Sequence, residues 1–213
     1  MKDIGVGIIG LGMGRNMLAI NDDAASRLQV RAICDTNGDL LERVRAQHHL
    51  SFATTEYEAL LARPDIQVVG IYSPDHLHMA QIEAAAQAGK HIICTKPMVV
   101  SLTEAQRTVE LVRRHNIKFL VGQTCRFMPA FQAAKKLYDD GDLGRPLFAE
   151  AHYVHDMRPV WDRTPWRYEV PQDTLYGGAC HPIDLLCWFL GDVEEVFVYA
   201  SCSGMDERAP AGK

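Results

Sequence analysis

The run Gly10-Leu-Gly-Met-Gly14 constrains this chain more than any other feature. It directly follows Ile4-Gly-Val-Gly-Ile-Ile9, an apolar segment that reads as a buried strand, and it precedes residues of helical character. A glycine turn in that setting lets the main chain approach a pyrophosphate, while helix-terminal N–H groups face its oxygens. The usual third glycine would stand at position 15, where this chain has Arg15; Gly14 takes over that task if the turn is one residue tighter. Gly10, Gly12, Met13 and Gly14 are therefore expected to contact a dinucleotide. Asp35 closes the next apolar run, Leu28–Cys34, twenty-one residues after Gly14, near the spacing of a ribose-binding carboxylate. Its oxygens accept from ribose hydroxyls and repel a 2′-phosphate, so NAD is favoured over NADP. The competing reading is a tight turn with Asp35 capping a loop.

Strand-like and helix-like periods alternate through the first half. Asn37 is placed to cap a helix to about Gln47, a short strand follows at 50–53, and Thr55-x-x-Glu58 matches a capping box for a helix ending near Leu61. Ile66–Ile71 and His91–Thr95 read as buried strands, with the helix carrying Met79 and Ile82 between them and Gly89 as its C-terminal cap. Ser101-x-x-Glu104 matches a second capping box, for a helix over 102–115, and the strand pattern resumes at 117–121. The expectation is a parallel, three-layer α/β domain over residues 1–124.

From about Thr124 the rhythm changes. A helical run reaches Tyr138, Asp139–Asp142 makes a turn, 147–155 and 193–202 have strand character, and 182–190 reads as a helix after a polar and aromatic loop over 156–173. Residues 125–213 are expected to form part of a second domain. Two strands make an incomplete sheet, so truncation is expected, although a short natural form is an alternative.

With 47% apolar and 23% charged residues the chain can bury a core, which excludes global disorder. The net charge of −5 argues against a nucleic-acid surface, and no 18-residue apolar run or leader pattern is present, so no membrane partner is expected. Six cysteines without a CxxC pair fit reduced thiols and a cytoplasmic protein.

The loop Tyr72-Ser-Pro-Asp75 falls at the carboxyl end of a strand, where open α/β sheets bind ligands. Ser73, Pro74 and His78 are candidate cofactor contacts, against a plain Ser-Pro turn and a His78 satisfied by local backbone. His76 and His78 lack a further convincing ligand set, so no metal is expected. Arg126, Arg158, Arg163 and Arg167, with Trp161 and Trp166, could recognise an acidic sugar or keto acid, or form an ordinary surface.

Three further segments carry a family resemblance. Ala88-Gly-Lys-His…Thr95-Lys96-Pro97 is similar to the AGKH…EKP segment of the glucose-fructose oxidoreductase, inositol dehydrogenase and MocA family, with Thr95 for the usual glutamate. Val121-Gly-Gln-Thr-Cys-Arg126-Phe-x-Pro129 resembles the passage into that family's substrate domain. Gly177-Gly-Ala-Cys-His181-Pro-Ile-Asp184, followed by Trp188-Phe-Leu-Gly191, resembles its substrate-facing histidine helix. The resemblance implies a Rossmann domain followed by an α/β domain with an open, predominantly antiparallel sheet often used for homo-oligomerisation. It implies NAD-linked oxidation or reduction of a sugar, cyclic polyol or sugar-derived metabolite.

Within that resemblance Lys96 is the leading catalytic proton-transfer residue and also a cofactor and substrate contact, because its ammonium stabilises oxygen charge and its neutral form accepts a proton. His181 is expected to orient substrate or relay the proton, and the reaction needs the reactive ring beside both. Arg126 and Asp184 are candidate substrate contacts; Asp184, three residues after His181, could instead orient that histidine. Where many relatives carry an aspartate four residues before the histidine, this chain has Gly177; Asp173, Asp184 or a differently positioned substrate group is the candidate to compensate, the alternative being a different reaction preference. The different-class alternative is a catalytically incomplete nucleotide-binding or regulatory fragment.

Overall fold

A computed structural model describes residues 3–170 and 175–201, which divide into two compact units at Gly122/Gln123. The first unit holds six strands: β1 (Ile4–Ile9), β2 (Leu28–Cys34), β3 (Phe52–Thr54), β4 (Val68–Ile71), β5 (His91–Cys94) and β6 (Phe119–Val121). All five pairings are parallel, in the order β3-β2-β1-β4-β5-β6. The order reverses between β1 and β4, which opens a crevice at their carboxyl ends.

Helices α1 (Gly38–Gln47), α2 (Tyr57–Leu61), α3 (His78–Gln87) and α4 (Leu102–His115) complete the layers. Strand residues alternate between two cores. Ile9, Ala32, Cys34, Val69, Ile71 and Ile92 pack with α2, α3 and α4 residues such as Leu60, Ile82 and Leu111. Val6, Ile8, Val30, Ile33 and Val68 pack with Leu41 and Val44 of α1 and with Met17 and Leu18. Val30 and Ile33 share a side because Arg31 is an extra residue in the β1–β2 register, where Val6 pairs Val30 and Gly7 pairs Ala32.

Local signals explain most boundaries. The Asn37 side chain accepts from Leu40 N at 3.0 Å and starts α1; Ser101 Oγ accepts from Glu104 N at 3.2 Å and starts α4. Asn116, at φ 50°, ends α4 in the left-handed conformation. One expectation fails here. Thr55 does not cap α2: Thr54 Oγ1 takes the Glu56 N–H at 3.1 Å, and the Thr55 hydroxyl turns to the Glu56 carboxylate at 3.2 Å. The helical residues expected after the glycine turn form a 3₁₀ helix, Gly14–Asp22.

The second unit contains a 3₁₀ turn, Thr124–Phe127, then α5 (Pro129–Asp139), α6 (Arg158–Arg163), α7 (Trp166–Glu169) and, after a π-helical turn at Leu175–Ala179, α8 (Cys180–Leu190). The expected loop over 156–173 is thus partly helical, with Trp161 packed edge-on against Tyr168; Asp173 lies outside the described residues. The expected strands at 147–155 and 193–202 are not formed among the described residues, where both stretches lack regular structure. Strand-forming side chains need a neighbouring ladder, and here Leu147, Val154, Phe197 and Tyr199 stay exposed. The open antiparallel sheet is therefore absent from the described part.

Burial pushes the Cys34 and Cys94 thiols up to about 12, with the Asp35 charge adding to the effect at Cys34. Both are expected to react with maleimide about tenfold or more slowly than in unfolded protein, as read by mass spectrometry. Because these folded thiols keep their protons above the ordinary value of 9.0, their contribution to stability is full below pH 9 and falls as pH climbs toward about 12.

Candidate functional site

The carboxyl ends of β1 and β4 meet over Gly10. Its φ of +89° suits glycine, and a Cβ there would stand 2.6 Å from Ser73 N and from the Tyr72 carbonyl carbon. The chain crosses closely enough at this point to exclude any side chain. Gly14 has a different duty: a Cβ would lie 2.8 Å from Ile8 Cγ2, so its smallness seats the 3₁₀ helix on the sheet. At Gly12 a Cβ would meet nothing within 4 Å, which leaves open space over the turn, and Met13 beside it is 68% exposed.

Asp35 is bound into the same turn. Its Oδ2 accepts from Leu11 N at 2.7 Å and its Oδ1 from Asn37 N at 2.9 Å, which fixes the carboxylate between the glycine turn and α1. An ionised carboxylate offers about four acceptor positions, so two backbone bonds leave capacity for hydroxyl donors. Open space at Gly12 beside an anchored carboxylate at the strand-order reversal fits the pyrophosphate and ribose of a dinucleotide.

The β4 turn supplies Ser73, whose hydroxyl donates to Gln81 Oε1 at 2.6 Å, and Pro74, which precedes a short 3₁₀ turn at Asp75–Leu77. His78 is fully buried, with Nε2 at 2.9 Å from Ser73 O and Nδ1 at 2.9 Å from Pro97 O. That burial takes its ring away from the cofactor contact expected of it. Lys96 is half-buried just beyond β5, and its peptide bond to Pro97 is cis.

In the second unit, half-buried His181, the second residue of α8, borders a cavity of about 770 Å³. Thr124, Cys125, Tyr153 and His181 form a polar part of its lining, while Phe131 and Leu185 contribute to the larger apolar part. Cys125 Sγ lies 3.8 Å from His181 Nδ1, and the Tyr153 ring is centred 6.0 Å from the imidazole. The Tyr153 hydroxyl sits 3.3 Å from His155 Nδ1. Sequence reasoning missed Tyr153; its signal was the glycine pair, since a Cβ on Gly178 would stand 2.9 Å from the Tyr153 ring. A Cβ on Gly177 would meet nothing within 4 Å.

Arg126 and Asp184, both expected to hold substrate, hold each other. Arg126 donates from Nε to Oδ2 at 2.7 Å and from Nη2 to Oδ1 at 2.8 Å, and it stands over the Trp188 ring at 5.6 Å. The forked pair ties the turn after Gln123 to α8 and raises the Arg126 pKa. Arg158 pairs in the same manner with Asp156, whose carboxyl is lowered to about 2 chiefly by that hydrogen bond. Among the described residues no three His, Cys, Asp or Glu side chains gather as a metal site, and no helix is long and apolar enough to cross a membrane.

Residues 4–123 match the family model of the oxidoreductases with an NAD-binding Rossmann fold, GFO/IDH/MocA, and residues 131–209 match the C-terminal domain of the same family. The chain belongs to this family. It is 34% identical over 202 residues to the uncharacterized oxidoreductase YrbE of Bacillus subtilis (strain 168), covering 92% of this chain and 57% of that protein. It is 27% identical over 198 residues to the inositol 2-dehydrogenase of Salmonella typhimurium (strain LT2), covering 91% and 56% respectively. A structure of levoglucosan dehydrogenase in complex with NADH superposes with a TM-score of 0.74 at 28% identity, covering 90% of this chain and 55% of the other. The chain thus spans a little over half the length of these relatives.

The glycine turn makes a separable prediction. Gly10→Ala is expected to cost about 2–4 kcal/mol, from positive φ and the clash with Ser73 N. Gly12→Ala should stay within about 0.5 kcal/mol of the parent, because its Cβ enters open space. Urea denaturation of the two variants reads the difference.

Proposed function

We propose that this chain is the nucleotide-binding and partial substrate-binding part of an NAD-dependent oxidoreductase acting on a sugar, cyclic polyol or sugar-derived metabolite. The observation that carries the reading is the open turn at Gly12 beside the anchored Asp35 carboxylate, at the strand-order reversal of a family whose first domain binds NAD. Gly10, Gly12, Met13, Gly14 and Asp35 hold the pyrophosphate and ribose, with the Ser73-Pro74 turn beside them. A bound nicotinamide supplies a two-electron hydride acceptor or donor. The inositol and levoglucosan dehydrogenases among the relatives support a polyhydroxylated ring as substrate.

Lys96 is the proton-transfer residue in this reading. As a neutral amine it removes the hydroxyl proton during alcohol oxidation; as an ammonium it protonates the alkoxide in reverse. His181 orients the substrate hydroxyl or relays that proton. The Arg126–Asp184 fork supports a bracing role for both residues, in place of the separate substrate contacts first expected of them. Reduced thiols among the described cysteines fit a cytoplasmic setting, and a homo-oligomer is the expected assembly.

NADH titration followed by fluorescence tests the cofactor half. Asp35→Ala is expected to weaken NADH binding about tenfold while changing NADPH binding less, since the lost carboxylate is also a repulsive group for the 2′-phosphate. Equal losses for both would remove Asp35 as the discriminating residue. Turnover on a panel of inositols, levoglucosan and aldoses tests the catalytic half: Lys96→Ala should lower kcat by about 100-fold or more with NADH affinity nearly retained. Unchanged kcat in a folded Lys96→Ala protein would reassign the proton transfer.

A further inference from the structure

The register of the β4-β5-β6 half of the sheet carries past the strands themselves. Ile71 pairs with Cys94 and Cys94 with Val121, so the three strands end level with one another. A further bond continues each pairing: Thr95 N donates to Ile71 O at 3.0 Å, and Gly122 N donates to Cys94 O at 2.8 Å. A Cβ on Gly122 would lie 3.5 Å from Thr95 Cα, so the chain leaving β6 runs against the chain leaving β5. The next residues along the three chains are Ser73, Lys96 and Gln123. All three stand just beyond the carboxyl edge, where open α/β sheets bind their ligands.

The Gln123 side chain differs from that of Ser73, whose hydroxyl donates to Gln81. Gln123 Oε1 is shielded from water, and among the described residues no donor reaches it. An amide carbonyl that gives up water without gaining a partner destabilises the fold, and such groups are rare in native proteins. The turn does not need this oxygen, because the main-chain carbonyl of Gln123 already accepts from Arg126 N at 3.1 Å. The residue as a whole is only half-buried, so rotation about its side-chain torsions can carry the oxygen to a ligand. A carbonyl oxygen only accepts, and the ligand must therefore bring a donor. The two halves of a doubly wound sheet take the two mononucleotides of one dinucleotide. Asp35 ends β2 and serves the β3-β2-β1 half, which leaves the nicotinamide nucleotide to the half that ends in Gln123. The match to the NAD-binding domain runs through residue 123. On the nicotinamide ring, the group that donates N–H is the carboxamide.

We propose that Gln123 is a cofactor-binding residue whose Oε1 accepts a hydrogen bond from the carboxamide N–H of nicotinamide, an inference that rests on the nucleotide-binding reading above. The unpaired oxygen weakens the free protein and is satisfied in the bound one, so the side chain is kept for the ligand and not for the fold. Holding the carboxamide sets the rotation of the ring about its bond to ribose, and with it the face presented for hydride transfer.

Calorimetric titration with NAD and with 3-acetylpyridine adenine dinucleotide tests this without turnover, since a methyl ketone in the analogue replaces the carboxamide and removes its N–H donors. The parent should bind NAD about fivefold or more tighter than the analogue, the worth of one hydrogen bond. Gln123→Met is similar in length and lacks a strong acceptor; it should weaken NAD alone and bring the two affinities within about twofold of each other. Without dinucleotide, its urea midpoint should equal or exceed that of the parent, because an unpaired buried oxygen has been removed. A lowered midpoint, or a variant that does not fold by circular dichroism, would show that Oε1 serves the fold and would overturn the assignment. A parent that binds NAD without preferring it, or a preference that survives in Gln123→Met, would overturn it as well and leave the nucleotide reading standing. A parent that binds neither dinucleotide would sink the nucleotide reading and this assignment together.

Discussion

The nucleotide-binding unit depends on the close crossing of two strand ends. Parallel strands β1 and β4 deliver their chains to the same edge of the sheet, and the only backbone that passes there is one without a side chain at Gly10. Every later feature of the candidate cofactor site follows from that approach. The turn stays flat enough for Leu11 N to reach Asp35, and the Asp35 carboxylate in turn accepts from Asn37, just ahead of α1. The crevice is thus a by-product of strand order, and its polar groups are aimed by backbone hydrogen bonds rather than by flexible side chains.

Much of this was legible because the relevant signals are local. Apolar runs located the six strands, and Asn37 and Ser101 marked two helix starts. What escaped notice involved competition between neighbours. Thr54 and Thr55 are both capable of capping, and which hydroxyl takes the Glu56 N–H depends on how β3 leaves the sheet. The seating of the 3₁₀ helix at Gly14 involves Tyr72, a residue far along the chain, as well as nearby Ile8.

Polar side chains were the harder class. Composition and spacing identify a residue able to bond a ligand, yet they do not say whether another protein group has already claimed it. Arg126 and Asp184 are fifty-eight positions apart and satisfy each other in a fork, while His78 is absorbed by three carbonyls. His181 shows the opposite case: half-buried, at the polar part of a cavity lining, with Cys125 and Tyr153 for neighbours. Long-range pairing decides which of these histidines borders a cavity, and a single sequence does not encode that in any short window.

The second unit illustrates why β-propensity is a statement about neighbours. Leu147–His155 and Val193–Ser201 carry the branched and aromatic residues that strands favour, but a strand exists only when another supplies its missing hydrogen bonds. Helices satisfy their own backbones, so α5 and α8 form where those segments do not. The same asymmetry leaves apolar side chains of α8, among them Leu185 and Phe189, lining a cavity instead of a filled core. An α/β layer built from one sheet and its covering helices therefore gains its helices from local sequence and its sheet only from chain that is far away, which is why the two expectations for this unit parted company.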